Sequence, residues 1–291
     1  YPVFSLVCAV INVAPTASHL VQGHSAPGSF GLWVVTLNFL GFVINGMIWQ
    51  HDAKDRAPIF CDFSSKLTMV GPLGLLAANL CIIRYLAALF SPNCFLEDMD
   101  QAKWRTISDY LLSFGLPFAV ALVSPIFQVA RYEVANVVGC SSVSVLTWPT
   151  LFLFLIWPPI ICAISCAYAV YALFQLFQHK SNLHSLVSNS SPTLTVSKCC
   201  RIAALAATYL CISGPYTIIG MVTILEDLGP YVTWESWSTI HNRDNELSSV
   251  RQNPLYILRI RDWLAVVAGV TVFLFFSFAH ESIQVYTTIL T

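Results

Sequence analysis

Charged side chains are scarce in this sequence. Of its 291 residues only 10% are Asp, Glu, Lys or Arg, whereas an ordinary soluble domain is about one-quarter charged. So few charges cannot cover a water-exposed surface of this size. The formal net charge of −1 also provides no excess positive charge with which to bind a polyanion such as a nucleic acid. The composition therefore argues against a soluble enzyme, a nucleic-acid-binding protein and a disordered chain.

Motifs of common enzyme and ion-handling sites are lacking too. The sequence contains neither H-E-x-x-H nor G-x-S-x-G. Its 7 His residues lie near loops or the ends of hydrophobic runs and share no single depth, so an intramembrane metal site lacks ligands. No Lys lies in the last hydrophobic run, which excludes an opsin-type Schiff base there, and no run has the Arg spacing of a voltage sensor. We expect no enzymatic activity and no cofactor.

Long hydrophobic runs are what the sequence has instead: 56% of it is hydrophobic, and the mean hydropathy is +0.69. A helix that crosses a bilayer needs roughly 20 mostly apolar residues, with its backbone polar groups paired internally. Seven runs qualify, at about 1–18, 30–50, 61–90, 106–130, 145–178, 199–225 and 262–289. The sequence thus predicts an all-α membrane protein, a single seven-transmembrane helix bundle over 1–291 without internal repeats. Because the chain begins at Tyr1 and ends beside a hydrophobic run, we expect both ends to be trimmed.

An odd number of spans puts the two chain ends on opposite sides of the membrane. Loops 51–60, 131–144 and 226–261 then share one side, and the remaining loops share the other. Lys and Arg are almost evenly divided between the sides, so the positive-inside rule assigns no orientation. Cys61 and Cys140 fall on the same side. They could form a disulfide if that side is oxidising, or remain two unpaired thiols.

The third run carries charges close to both of its ends. Asp62 and Lys66 are four residues apart with the acid first, the favourable order for a helical ion pair. A charged residue inside a membrane span suggests a functional role, here for Lys66 with Asp62 as its partner. The alternative is that the pair only sets the depth of the helix in the membrane. Arg84 lies roughly 35 Å along the axis from Cys61, at the opposite interface. It is either a snorkelling anchor or a contact to an internal partner.

Proline interrupts several of the runs, at Pro158-Pro159 and Pro215 among others. Each removes a backbone donor and loosens its helix, which suits a bundle that changes shape. Proline is also simply commoner in membrane helices than in soluble ones. We regard Pro158, Pro159 and Pro215 as candidate hinges.

Several short motifs, in order along essentially the whole chain, resemble the fungal mating-pheromone receptors of the lipopeptide branch, and the basidiomycete members most. The matching pieces are Asn45–Trp49 (NGMIW), Asp55–Pro58 (DRAP), Cys61–Leu67 (CDFSSKL), Leu80–Arg84 (LCIIR), Gln128, Arg131-Tyr132, Gly139-Cys140, Tyr231–Glu235 (YVTWE) and the Phe-rich run Trp263–Glu281. The block around CDFSSKL is the specific part of this resemblance.

The resemblance implies a class D G-protein-coupled receptor in the plasma membrane. Such a receptor binds a secreted peptide with a C-terminal farnesyl group and activates a heterotrimeric G protein. Its N-terminus and the loops with Cys61, Cys140 and Trp234 would be outside, and its C-terminus would be cytoplasmic. The lipid bilayer is the third partner, and a homodimer is compatible with the resemblance.

Candidate site residues fall into two groups. Those expected to face the pheromone in an outer pocket, apolar with few polar anchors, are Asn45, Trp49, Asp62, Lys66, Gln128, Arg131, Trp148, Trp234 and Glu235. Those expected to face the G protein are Arg84, Lys103, Arg105, Lys180, Lys198 and Arg201. The alternative function is a small-solute transporter or channel, which needs polar residues aligned at several depths; Asn38, Asn45, Asn79 and Gln128 are sparse for that.

Overall fold

Seven helices and three short strands make up the described part of the chain. The structure, a computed structural model, describes residues 2–90, 99–178, 196–227, 241, 248–256, 258 and 260–276. The helices are α1 (Pro2–Val21), α2 (Ser25–Ile48), α3 (Pro58–Leu89), α4 (99–126), α5 (Trp148–Gln178), α6 (Val196–Asp227) and α7 (Ile260–Phe276). The strands are β1 (Tyr132–Ala135), β2 (Gly139–Ser141) and β3 (Val250–Asn253). The π-helical turns Leu37–Val43, Leu111–Gly115 and Leu151–Leu155 interrupt α2, α4 and α5.

Each predicted span coincides with one of these helices, with ends shifted by a few residues. Six of them, α1 to α6, are long and apolar enough to cross a bilayer. The predicted seventh run, 262–289, reaches past the described residues, and the described part of α7 holds the shorter apolar stretch Asp262–Phe275. Large apolar side chains cover the outward faces, such as Val10 in α1 and Phe118 in α4, which are 61% and 65% exposed. Such faces suit a lipid environment.

Helix α3 lies at the centre of the bundle. Of its 32 residues, 20 are buried, and it packs against α2, α4, α5 and α6. Gly71 and Gly74 of α3 allow close packing: a Cβ on Gly71 would overlap Leu37, and one on Gly74 would overlap the Trp33 ring. The small residues of α3 therefore let α2 approach its backbone.

Buried asparagines connect α7 to the first two helices. Asn12 of α1 donates a hydrogen bond to Gly269 O at 2.9 Å, and Asn38 of α2 donates to Ala265 O at 2.9 Å. The two acceptors are four residues apart and so lie on one face of α7. Because water is scarce in the membrane interior, these bonds between spans hold α7 against α1 and α2.

Segments of two loops meet at one end of the bundle in a small sheet that the all-α prediction missed. Strand β1 pairs antiparallel with β2 and parallel with β3, which gives the order β2-β1-β3. The turn between β1 and β2 contains Val137 and leads into Gly139, both at positive φ. Loops 131–144 and 226–261 thus share one end, as the span count predicts, and we call it the sheet end.

Replacing Asn38 with Leu should destabilise the bundle. The change keeps the side-chain volume but removes the donor to Ala265 O, at a cost of about 1 kcal/mol. Thermal unfolding of the purified protein in detergent should show a lower midpoint. The neighbouring Phe39→Leu is the control, because Phe39 is 44% exposed on the outside of the bundle. An unchanged midpoint for Asn38→Leu would mean that the bond contributes nothing.

Candidate functional site

A disulfide and an asparagine attach the sheet to the helices beneath it. Cys61, at the start of α3, is bonded to Cys140 of β2, with 5.2 Å between their Cα atoms. Asn45 of α2 donates to Gly41 O at 2.6 Å and to Ser64 Oγ, and its Oδ1 accepts the Cys140 N–H at 3.2 Å. Asn45, expected to face the pheromone, is fully buried and connects α2, α3 and β2.

Trp49 is buried inside the sheet end. Its exposure is 0%, and its indole N–H donates to Lys54 O at 2.7 Å. The Tyr132 hydroxyl, in the same apolar cluster, donates to Asp55 at 2.9 Å. Burial and, after it, the hydrogen bond to Asp55 raise the pKa of Tyr132 to about 12, so the phenol stays protonated at physiological pH. Trp49 was expected to line a ligand pocket but instead forms the interior beneath the sheet.

Lys66 lies one turn below this cluster and contacts α4. Its ammonium donates to Ser124 Oγ and to Gln128 Oε1, while the Gln128 amide donates to Ser142 Oγ. Ser124 and Gln128 are both buried, and the backbone carbonyl oxygen of Gln128 accepts a hydrogen bond from His241 Nε2 at 2.8 Å. Lys66 and Gln128, which the sequence assigned to one pocket, are thus brought together.

The predicted ion pair between Asp62 and Lys66 is wrong. Asp62 accepts two hydrogen bonds from Arg131, from Nε at 2.8 Å and from the guanidinium terminus at 2.5 Å. This bidentate geometry outcompetes a single contact to an ammonium. The bond to Asp62 also raises the pKa of Arg131. Sequence spacing identified the acid correctly but could not show that Arg131, 69 residues away, would reach it.

Of the other three predicted pheromone contacts, one is exposed and two lie outside the described residues. Trp148, at the start of α5, is 52% exposed and stacks on Phe152 with 6.1 Å between ring centroids. Trp234 and Glu235 lie outside the described residues. The described part of the candidate pocket therefore consists of Lys66, Gln128 and the Asp62–Arg131 pair.

A buried ion pair lies at the opposite end of the bundle. Arg84, near the end of α3, binds Asp109 of α4 and donates to Ser108 Oγ at 2.7 Å. Asp109 also accepts from Ser25 at the start of α2, at 3.0 Å. Its side chain is 3% exposed, and that of Arg84 is 27% exposed. Arg84, expected to face the G protein, is thus occupied by an internal partner that links three spans.

Asp109 is the residue that sequence reasoning missed. It lies in a stretch of mixed polarity, and only its pairing with Arg84 marks it as important. One feature of the sequence could have identified it: Asp109 lies near the start of the fourth span, at about the depth of Arg84 in the third span. Charged residues inside membrane spans usually pair with a residue of opposite charge.

Of the other residues expected to face the G protein, Lys103 and Arg105 belong to α4, and Lys198 and Arg201 belong to α6. Lys103 is exposed and lies 3.9 Å from Asp100, and the Arg105 guanidinium sits 5.4 Å from the centre of the Tyr85 ring. Arg201 is half-buried in α6. The Lys198 side chain and all of Lys180 lie outside the described residues.

The candidate hinge prolines sit in continuous helical segments. Pro158 and Pro159 follow the π-helical turn of α5, at the start of Trp157–Gln178. Pro215 lies inside α6 with an exposed side chain, and Thr217 beside it donates to Gly214 O at 2.8 Å. Their role as hinges stays a prediction.

Comparison with known proteins gives a match along the whole chain. The profile of the family described as "Pheromone A receptor" matches residues 1–291. A "Pheromone B alpha 3 receptor" of Schizophyllum commune is 28% identical over 97% of this chain and 46% of its own length. The "Pheromone a factor receptor" of Saccharomyces cerevisiae is 24% identical over 97% of this chain and 60% of its own, and "Pheromone receptor 2" of Mycosarcoma maydis is 24% identical over 97% and 84%. The chain spans about half the length of the first of these relatives.

Removing the disulfide should loosen the sheet end. A bond that closes a loop of 79 residues stabilises by about 2–4 kcal/mol. Cys61→Ser, Cys140→Ser and the double variant should lower the thermal midpoint equally, since all three remove the same bond. Cys166→Ser is the control, because Cys166 is a free, exposed thiol. Additive effects of the two single variants, or free Cys61 in alkylation mass mapping, would contradict the pairing.

Breaking the ion pair from either side should destabilise the bundle. Arg84→Gln and Asp109→Asn each leave an unpaired buried charge, at a cost of about 3 kcal/mol. The double variant should cost less than the sum of the single ones, by at least about 1 kcal/mol. Asp52 and Arg56, an exposed pair at the sheet end, provide the matched cycle, with a coupling below about 1 kcal/mol. Equal couplings in the two cycles of thermal stability would refute the burial argument.

Proposed function

The chain belongs to the pheromone A receptor family, and we propose that it is a G-protein-coupled receptor for a secreted, farnesylated peptide pheromone. Members of this family are seven-transmembrane receptors. The observation that carries the proposal is the arrangement of α3. One end holds a disulfide-supported polar cluster around Lys66, and the other end holds the Arg84–Asp109 pair.

We propose that the sheet end faces the outside of the plasma membrane. A disulfide persists on an oxidising side, which supports an external position for Cys61 and Cys140. The N-terminus of α1 then also lies outside, and the C-terminus of the seventh span is cytoplasmic. We also propose that residues 1–291 form a single seven-span domain and that the receptor forms a homodimer.

The lipid part of the ligand would reach the receptor through the bilayer. Each buried CH₂ contributes about 0.8 kcal/mol, so a farnesyl group partitions into the membrane before the peptide binds. An open apolar groove at the start of α3, lined by residues 57–60 and Phe63, is the proposed contact for it. Ile59 and Phe63 in this groove are 84% and 55% exposed. The peptide part would then lie over Lys66, Gln128 and the Asp62–Arg131 pair.

Signalling requires that the ligand prefer one of two bundle states, because equal affinity for both shifts neither. Lys66 and Arg84 lie on the same helix, so a displacement of α3 at the sheet end also acts on the pair with Asp109. The proposed inner surface for the heterotrimeric G protein includes Lys103, Arg105 and Arg201, with Pro158, Pro159 and Pro215 as hinges.

The transporter alternative is not favoured. The buried amides that it needs as a polar path are used in bonds between helices: Asn38 to Ala265 O, Asn79 to Ala206 O at 3.4 Å, and Asn45 to Ser64. A flux assay in liposomes, compared with nucleotide exchange on a G protein, separates the two functions.

The proposal predicts a response that depends on the lipid. The full-length gene, expressed in a mating-reporter strain without its own receptor, should respond to a farnesylated peptide at concentrations at least about a hundredfold lower than to the unprenylated peptide. Arg201→Glu should weaken the response at equal surface expression. Arg56→Glu, at the sheet end, is the charge-matched control for coupling. Equal potency of the two peptides would rule out the farnesylated ligand, and nucleotide exchange unaffected by Arg201→Glu would remove that contact.

A further inference from the structure

No carboxylate among the described residues lies within ion-pair distance of the Lys66 ammonium, although Asp62 still acts on it electrostatically. The two groups that its ammonium contacts, Ser124 Oγ and Gln128 Oε1, are neutral. Asp62, one helical turn away, is bound in bidentate fashion by Arg131. Lys66 therefore has no carboxylate of its own: the carboxylate of Asp62 is bound by Arg131, on which Asp55 also acts.

The neutral partners of Lys66 are oriented to accept hydrogen bonds from it. Ser124 donates its own proton to Ala121 O at 2.8 Å, which turns an oxygen lone pair towards Lys66. Gln128 donates through its amide nitrogen to Ser142, which holds its carbonyl oxygen towards Lys66. These two contacts use two of the three ammonium protons. The third is available for another acceptor.

A half-buried cation whose hydrogen-bond partners are all neutral has a substantial desolvation cost, which an anion bound directly to it would offset. We propose that the ligand supplies this anion: Lys66 binds the carboxylate of an acidic side chain in the pheromone peptide. This inference rests on the proposed function and specifies its ligand further.

The position of the acid along the ligand follows from α3. Phe63, in the apolar groove, and Lys66 are three residues apart and thus on neighbouring positions of one helical turn. A ligand whose farnesyl group lies against Phe63 has the residues next to its lipid-bearing end closest to Lys66. The acidic residue should therefore lie within a few positions of the farnesylated cysteine.

The probes that test this are position-scanning pools of short synthetic farnesylated peptides, each fixing Glu, Gln or Lys at one position. Cells expressing the full-length receptor in the mating reporter should respond to the Glu pool at a concentration about tenfold to a hundredfold lower than to the Gln pool, at one position near the farnesylated end. Lys66→Gln should abolish this preference. Lys66→Glu should reverse it, so that the Lys pool becomes more potent than the Glu pool.

Lys54→Glu is the control variant, because Lys54 is 76% exposed at the same end of the bundle. It should keep the preference for Glu. Equal potency of Glu and Gln pools at every position on the unmodified receptor would overturn the inference, and this comparison needs no variant to fold. Recovery of the Lys66→Glu receptor by Glu235→Lys, with any peptide, would also overturn it, since the counter-charge would then be internal. If no pool activates the unmodified receptor at the cell surface, the proposed function itself fails.

Discussion

A polar group inside a membrane must find its partner in the protein, and α3 shows how strongly this constraint shapes the molecule. At one end of α3, Ser64 is bonded to Asn45 of α2 and Lys66 to Ser124 of α4. At the other end, Arg84 forms an ion pair with Asp109, which also accepts a hydrogen bond from Ser25. Because these bonds use side chains from neighbouring helices, the central helix fixes the spacing of α2 and α4 at both ends. Between these two ends, Gly71 and Gly74 let α2 pack closely against the backbone of α3.

This arrangement explains how one helix can couple two distant surfaces. A close-packed interior does not deform continuously, so a change at one end is carried to the other as a shift of a whole element. The sheet end is attached to α3 by a covalent bond and to α2 by Asn45. A ligand bound there, as proposed, would therefore act on α3 directly. At the opposite end, the Arg84–Asp109 pair fixes the position of α3 relative to α4.

Much of this architecture could be predicted from the sequence, because span length and hydropathy are local properties. The helices fell within a few residues of the predicted runs, and Cys61 and Cys140 were assigned to one side from the span count alone. The strands were missed, since β2 is three residues long and β3 comes from a loop more than one hundred residues further on. Strand pairing at such a separation leaves no local pattern.

Charge pairing was the least predictable part, for a physical reason. The spacing of Asp62 and Lys66 on one helix gives an ion pair worth only a few tenths of a kcal/mol, so a competing partner from another element readily displaces it. Arg131 is such a partner because its guanidinium donates two parallel bonds to one carboxylate. The consequence reaches beyond Asp62, since Lys66 is left with neutral oxygens as its hydrogen-bond partners. In a chain with so few charges, one pairing that differs from the local expectation changes the partners of the neighbouring charge as well, and the proposed anion-binding role of Lys66 depends on this rearrangement.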